Sequence, residues 1–278
     1  MNLYDKTAIQ TSRLITRNYS TSFYMSVRLL EKDIREAIFS VYGFVRLADE
    51  IVDTFHEHDK LYLLDKFESD LKDALKHKIS LNPALQSFQK TVNQYLIPYD
   101  LIDAFLKSMR MDLNKQVYES KEETGDYIYG SANVVGLMCL KIFTKNDSNM
   151  YEKLKHPAMM LGSAFQKVNF LRDLNADIEG LNRVYFCECK ESGLDEASKL
   201  RIVKEIRDEF NEAYKGIKLL PGRSRLAVLT AYYYYIQLLQ KIELTPASEV
   251  MQTRVRVSDT FKLLLLTKAM FYYKLKLI

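Results

Sequence analysis

Four aspartates fall into two pairs of the same spacing, Asp49 and Asp53 in ADEIVD and Asp173 and Asp177 in NFLRDLNAD. Side chains four positions apart on a helix leave from one face about 6 Å apart, so each pair sets two carboxylates side by side. Like charges at that spacing cost an isolated helix roughly 0.2–0.5 kcal/mol, and more where water is excluded. Two such pairs call for a counter-charge. Magnesium suits them, with manganese as a substitute, because a hard cation keeps several waters and commonly binds one or two carboxylates together with substrate phosphates.

The elements that must hold these acids are amphipathic helices. Around the first pair, Ile34, Ile38, Val41, Val45, Ala48, Val52 and Phe55 alternate spacings of four and three and mark a buried stripe. Tyr42, Arg46, Asp49 and Asp53 run one position later, along its border. Around the second, Leu161, Phe165, Val168, Leu171 and Leu174 form the stripe, and Gln166, Asn169, Asp173 and Asp177 the neighbouring polar line. The two polar lines are expected to face each other across a cavity.

With these blocks in view, the chain resembles the squalene and phytoene synthase family of head-to-head prenyl synthases, and most closely its bacterial phytoene and dehydrosqualene synthases. The matching stretches are YSTSF (19–23), YGFVRLADEIVD (42–53), YIYGSANVVGLM (127–138), GSAFQKVNFLRDLNAD (162–177) and RVYF (183–186). Weaker echoes follow in PGRSR (221–225), YIQLL (235–239) and RVRVS (254–258). The resemblance implies an all-α, single-domain isoprenoid-synthase-type helical bundle around a central cavity, spanning 1–278. It implies a reaction of carotenoid biosynthesis in which two prenyl diphosphates join, through a cyclopropyl diphosphate and with release of diphosphate, into a linear product. Phytoene from two geranylgeranyl diphosphates is the first expectation, and dehydrosqualene or squalene from two farnesyl diphosphates the second.

By the same resemblance Asp49, Asp53, Asp173 and Asp177 are the magnesium carboxylates, and Tyr129 joins them as a catalytic residue. Arg46 and Arg172 are expected to contact diphosphate oxygens, where a planar guanidinium offers two parallel donors; for Arg46 an ion pair with Asp49 or Glu50 on its own helix competes with that role. Ser20 and Ser22 match a hydroxyl-rich turn at the family's start, with a helix cap as the plainer alternative. Tyr42, Gln166, Asn169 and Tyr235 match cavity-lining positions, and Phe23, Val134, Leu137, Met138, Leu161 and Phe165 are candidate apolar walls. The chain departs from the family pattern at Tyr19, often His, at Thr21, often Lys, at Glu50, often Asp, and at Ala176, often an acid.

Composition agrees with a helical enzyme. Nine Gly and five Pro in 278 residues disfavour a loop-rich β architecture. A formal net charge of +4, with acids and bases interleaved, does not indicate nucleic-acid binding. No G-x-G-x-x-G appears, so no nicotinamide cofactor is expected. Three cysteines do not make a disulfide framework. No apolar run approaches the roughly 20 residues of a membrane span and no signal peptide is apparent, so a cytoplasmic protein is expected. The stretch Phe261 to Ile278 differs: it carries Lys262, Lys268, Lys274 and Lys276 and no acid. It reads as a terminal helix packed on the body, with peripheral membrane contact as the second reading. Oligomeric state is left open.

Helices are expected near 4–18, 31–56, 60–77, 82–94, 98–118, 122–144, 150–179, 194–216, 221–244 and 258–276, with Pro83, Pro98, Pro157 and Pro221 at helix starts. The stretch 178–193 is a candidate lid. Among competing metal sites, a di-iron bundle needs Glu-x-x-His pairs, which are absent, and an EF-hand needs a central Gly. A head-to-tail elongase or terpene cyclase would share the diphosphate chemistry but not these flanks. A catalytically inactive relative serving as an assembly partner is the alternative of another class.

Overall fold

The computed structural model describes residues 2–189 and 193–275. Its chain runs through α1 (Leu3–Tyr19), α2 (Thr21–Val27), α3 (Lys32–Asp53), α4 (Lys60–His77), α5 (Pro83–Tyr95), α6 (Tyr99–Asn114) and α7 (Lys121–Ile128). A π-helical turn (Tyr129–Asn133) leads into α8 (Val134–Phe143), followed by α9 (Ser148–Leu181), α10 (Glu196–Ile217), α11 (Gly222–Leu244), α12 (Ala247–Val250) and α13 (Asp259–Lys274). No strand occurs among the described residues; the one bridge joins Val117 to Val184. The expected all-α architecture is met.

Short polar side chains punctuate the helices as their chemistry dictates. Asn2, Ser20, Asp59, Asn82, Ser120, Asp147 and Asp195 each accept a hydrogen bond from a backbone N–H of the first turn that follows, satisfying donors that no helical carbonyl reaches. Ser20 follows the end of α1, which covers the first expected helix, and starts α2, an element absent from the sequence reading. The helix expected over 122–144 is likewise broken by the π turn. The α3 helix stops at Asp53, leaving Phe55 exposed past its end.

Two apolar cores flank α9. One gathers Phe39, Phe44, Phe88 and Phe105 between α3, α5 and α6, and the other gathers Val168, Leu171, Ile206, Phe210 and Leu239 between α9, α10 and α11; Leu29 and Val228 pack against both. Pro157 does not begin a helix: it lies inside the 34-residue α9. A proline there forfeits one backbone hydrogen bond. Its ring is accommodated because α10 presents Gly216, where an added Cβ would lie 2.3 Å from Pro157 Cβ. Tertiary contact with α10 overrides the local preference.

The stretch expected as a lid is, in its described part, a pinned strap. The Val184 N–H donates to the Gln116 carbonyl at 2.8 Å and the Tyr118 N–H to the Val184 carbonyl at 3.1 Å. Tyr185 and Phe186 are buried against Phe170, the Tyr185 ring stacking on it at 3.9 Å. Residues 190–192 of that stretch, and Lys276 in the basic C-terminal segment, lie outside the described residues. No helix among the described residues is long and apolar enough to cross a membrane, and Cys139, Cys187 and Cys189 are all free.

Candidate active site

A cavity of about 300 Å³ opens between α2, α3, α8, α9, α10 and α11, at the lower end of the size range for ligand pockets. Its walls are apolar: Phe23, Val27, Leu30, Ile38, Val135, Leu161 and Phe165 face it. Phe23, Leu161 and Phe165 are thus placed as expected. Val134, Leu137 and Met138 are buried but do not line the cavity, whose α8 wall is Val135, Gly136, Cys139, Leu140 and Phe143.

Polar groups gather at one side. Tyr42, Gln166, Asn169 and Tyr235, all expected there, line the cavity together. Tyr42 stacks on Phe23 at 5.0 Å, and burial pushes its hydroxyl up to about 12, so it stays protonated at neutral pH. Tyr235 stacks on Phe165 at 4.0 Å and donates to Asn169 Oδ1 at 3.1 Å. The cavity touches α3 at Tyr42 and α9 at Asn169; Asp49 and Asp173 follow seven and four residues later, about 10 and 6 Å further along each helix axis. The acid lines therefore continue past the polar rim of the apolar chamber.

The four aspartates meet there. Asp53 on α3 and Asp173 on α9 both act on Asp177, whose carboxyl is pushed up to about 7 by burial and then by these like charges. Burial, then Asp53, likewise push Asp49 up to about 7. Both pairs stand toward the C-terminal ends of their helices, where the helix dipole already disfavours negative charge.

Arginines supply part of the missing positive charge. Arg183, in the strap after α9, donates from Nη1 to Asp53 Oδ1 at 2.7 Å and from Nη2 to the Asp112 carbonyl at 3.0 Å. Its Nε lies 3.7 Å from Asp112 Oδ1. Burial opposes its charge, yet Asp112, Tyr185 and Asp53 outweigh that and raise its pKa. Arg172 donates to both oxygens of its neighbour Asp173 at 3.1 Å, and Arg254 Nε reaches Asp173 Oδ1 at 2.7 Å.

Asp112, Arg183, Arg254 and Tyr127 were not among the expected site residues. The Asp112 side chain on α6 is only 3% exposed. It accepts from the Tyr127 hydroxyl at 2.9 Å, its Oδ1 has no hydrogen-bond partner, and burial pushes it up to about 7. A single acid without a partner four residues away leaves no periodic signal. Arg183 and Arg254 sit in the stretches RVYF and RVRVS, which held the clue.

Other expected residues fall differently. Arg46 forms the intrahelical pair with Glu50 and stacks over the Tyr19 ring at 4.4 Å, while the Tyr19 hydroxyl donates to Glu50 Oε2 at 3.1 Å. Ser20 caps α2 and lies against the Tyr42 hydroxyl. Ser22 lines a separate small crevice and not the main cavity. Tyr129 does not line the cavity and is 40% exposed. Residues two apart on a helix diverge by about 200°, so Tyr127, which reaches Asp112, and Tyr129 cannot both face the acids.

Five carboxylates (Asp49, Asp53, Asp112, Asp173, Asp177) thus share four guanidinium groups (Arg46, Arg172, Arg183, Arg254), of which Arg46 is also paired with Glu50, and the raised carboxyls and the orphaned Asp112 Oδ1 record the shortfall. Among the described residues no three acid, histidine or cysteine side chains come together to grip an ion unaided. Paired carboxylates nevertheless suit a hard divalent cation that completes its shell with waters and substrate phosphates.

Comparison with known proteins bears on this arrangement. A family model, squalene/phytoene synthase, matches residues 16–260. Phytoene synthase 2 of Solanum lycopersicum is 30% identical over 91% of this chain and 86% of its own length. Phytoene synthase 3 of Zea mays is 30% identical over 95% of this chain, which spans 66% of that longer protein. Both carry the designation chloroplastic. Among solved structures, a dehydrosqualene synthase in complex with ligand superposes with a TM-score of 0.84 at 22% identity, covering 97% of this chain and 98% of the other. A squalene synthase of Alicyclobacillus acidocaldarius gives 0.75 at 21%, covering 88% and 98%.

Proposed function

The chain belongs to the squalene/phytoene synthase family, and on that footing we propose that it condenses two geranylgeranyl diphosphates head to head into phytoene, with magnesium as the cofactor. The observation that carries this reading is the junction of an apolar chamber with a cluster of acids short of positive charge. A prenyl diphosphate has the same two-part character.

The residues divide the work by chemistry. Magnesium held by Asp49, Asp53, Asp173 and Asp177 would neutralise the departing diphosphate. Arg172, Arg183 and Arg254 hold those carboxylates in place and present guanidinium donors to phosphate oxygens. Tyr42, Gln166, Asn169 and Tyr235 mark the boundary at which the prenyl chain leaves the polar end. Phe23, Val27, Leu161 and Phe165 keep water from the carbocation that ionisation creates. A cyclopropyl diphosphate formed first would ionise in the same chamber before the linear product is released.

Similarity to phytoene synthases supports the twenty-carbon substrate, and the dehydrosqualene synthase fold supports a farnesyl substrate as the second reading. Farnesyl and geranylgeranyl diphosphates supplied together with magnesium, with products resolved by mass spectrometry, decide between them. Phytoene as the main product is expected. A thirty-carbon product establishes the farnesyl reading, and no diphosphate release from either substrate overturns both.

A further inference from the structure

A second cavity, of about 200 Å³, lies on another face of α9. Ser163 and Lys167 of that helix line it, while Phe165, Gln166 and Asn169 line the chamber. The π turn divides its side chains in the same way: Ser131 and Ala132 belong to the chamber, and Asn133 to the second cavity. Single π turns within helices are frequent at functional positions. The α9 helix packs closely on this one because Gly162 has no Cβ; one placed there would stand 2.9 Å from the Ala132 carbonyl oxygen. Helices α7 and α10 and the strap after α9 close the other sides, and the two cavities share no lining residue.

Three carboxylates and two ammonium groups line this second cavity. Lys167 Nζ sits between Glu205 and Glu209, 2.7 Å from Glu209 Oε1, and Lys121 Nζ lies 3.5 Å from Glu188 and 3.3 Å from Glu205. Ser163 Oγ donates to Glu209 Oε1 at 2.8 Å. Both lysines and the serine are thereby engaged, yet Glu209 Oε2 and Asn133 Oδ1 are buried without a hydrogen-bond partner. Asn133 is only 7% exposed. Burial pushes the Glu209 carboxyl above its ordinary range in spite of Lys167 and Ser163. Acceptors buried without a donor are costly, and native structures ordinarily pair them.

That shortfall defines the chemistry of an occupant. An anion would add to the excess of negative charge, and an apolar molecule would leave both acceptors unpaired. Among the described residues no three acid, histidine or cysteine side chains converge to grip a metal ion. Water satisfies acceptors but leaves the charge. A monocation carrying N–H donors answers both needs, as the Lys167 ammonium already does between Glu205 and Glu209. Ile128, Phe186 and Ile202 give the cavity an apolar side on which a short alkyl stem can rest.

We propose that this second cavity is a binding site for a small primary ammonium compound, which supplies the donors that Glu209 Oε2 and Asn133 Oδ1 lack and lays its alkyl stem against Ile128, Phe186 and Ile202. The site goes beyond the synthase reading and does not depend on it.

Isothermal titration of n-butylammonium chloride into the full chain tests the site, with n-butanol and sodium butyrate as neutral and anionic probes of the same length. Saturable binding of butylammonium is expected, with butanol at least about ten-fold weaker and butyrate not bound. Asn133→Ala deletes an acceptor that no other side chain engages, so it should melt close to the wild type by circular dichroism and weaken butylammonium about ten-fold. Glu209→Gln keeps the side-chain size and removes the charge, and should weaken it at least as much. Asn133→Asp adds a charge at nearly constant size and should tighten it about ten-fold. Absence of saturable butylammonium binding overturns the site. Affinity unchanged by all three substitutions overturns it as well and places the amine at the aspartate cluster of the chamber. Butanol binding as tightly as butylammonium also overturns it, since the cavity would then hold water and small solutes without regard to charge. None of these readings requires turnover, so loss of the synthase reading leaves the result intact.

Discussion

Two departures from the family pattern act on one arginine. Glu50 and Tyr19 stand where Asp and His are often found, and together they engage Arg46, one as its ion-pair partner and the other as the ring beneath it. A diphosphate seeking that guanidinium must displace the Glu50 carboxylate, which is nearly buried and so weakly screened. Glu50→Gln keeps an acceptor for the Tyr19 hydroxyl and removes the competing charge. It should lower KM for the prenyl diphosphate about three- to ten-fold, the effect of one charge-assisted hydrogen bond, while leaving kcat within about two-fold. Steady-state kinetics checks this, and a raised KM would mean that Glu50 holds Arg46 in position for the substrate.

The helices explain why some of the site can be read without coordinates. Asp49, Asp53, Asp173 and Asp177 repeat at the helical period beside apolar stripes, so their common face follows from geometry alone, and the lines through Tyr42 and Asn169 do reach one cavity. Asp112 has no such repeat, and only the packing of α6 against the Arg183 strap brings it in. Tyr129 is misplaced by sequence matching because neighbouring Tyr127 and Tyr129 leave the helix in nearly opposite directions, a distinction that a block match does not carry. Pro157 shows tertiary contact deciding against local preference. Gly216→Ala should destabilise the fold by about 1–3 kcal/mol through overpacking of the α9–α10 contact. Adding Pro157→Ala should recover at least about half of that loss, because coupled neighbours are non-additive. Chemical denaturation of the four members of this cycle provides the measurement.

At the scale of the whole molecule, the acid cluster ties stability to pH and to metal. Asp49, Asp112 and Asp177 stand near 7 in the folded protein, against 3.8 for an unperturbed aspartate. Between those values the folded state binds more protons than the unfolded one, so the contribution of these groups to stability falls as pH rises from about 4 through about 7. Without divalent ions the melting temperature should therefore be lower at pH 8 than at pH 6. Magnesium should raise it more at pH 8, where the carboxylates are free of protons to receive it. Differential scanning calorimetry at the two values, with and without magnesium, measures both effects.

Isothermal titration of inorganic diphosphate into the protein reaches the acid cluster without requiring turnover. Binding is expected in the presence of magnesium and at least about ten-fold weaker without it. Asp173→Asn should abolish the magnesium dependence while leaving the melting temperature near that of the wild type. Diphosphate that binds equally well with and without magnesium, in wild type and variant alike, would contradict a site in which the paired aspartates of α3 and α9 hold the ion that holds the substrate.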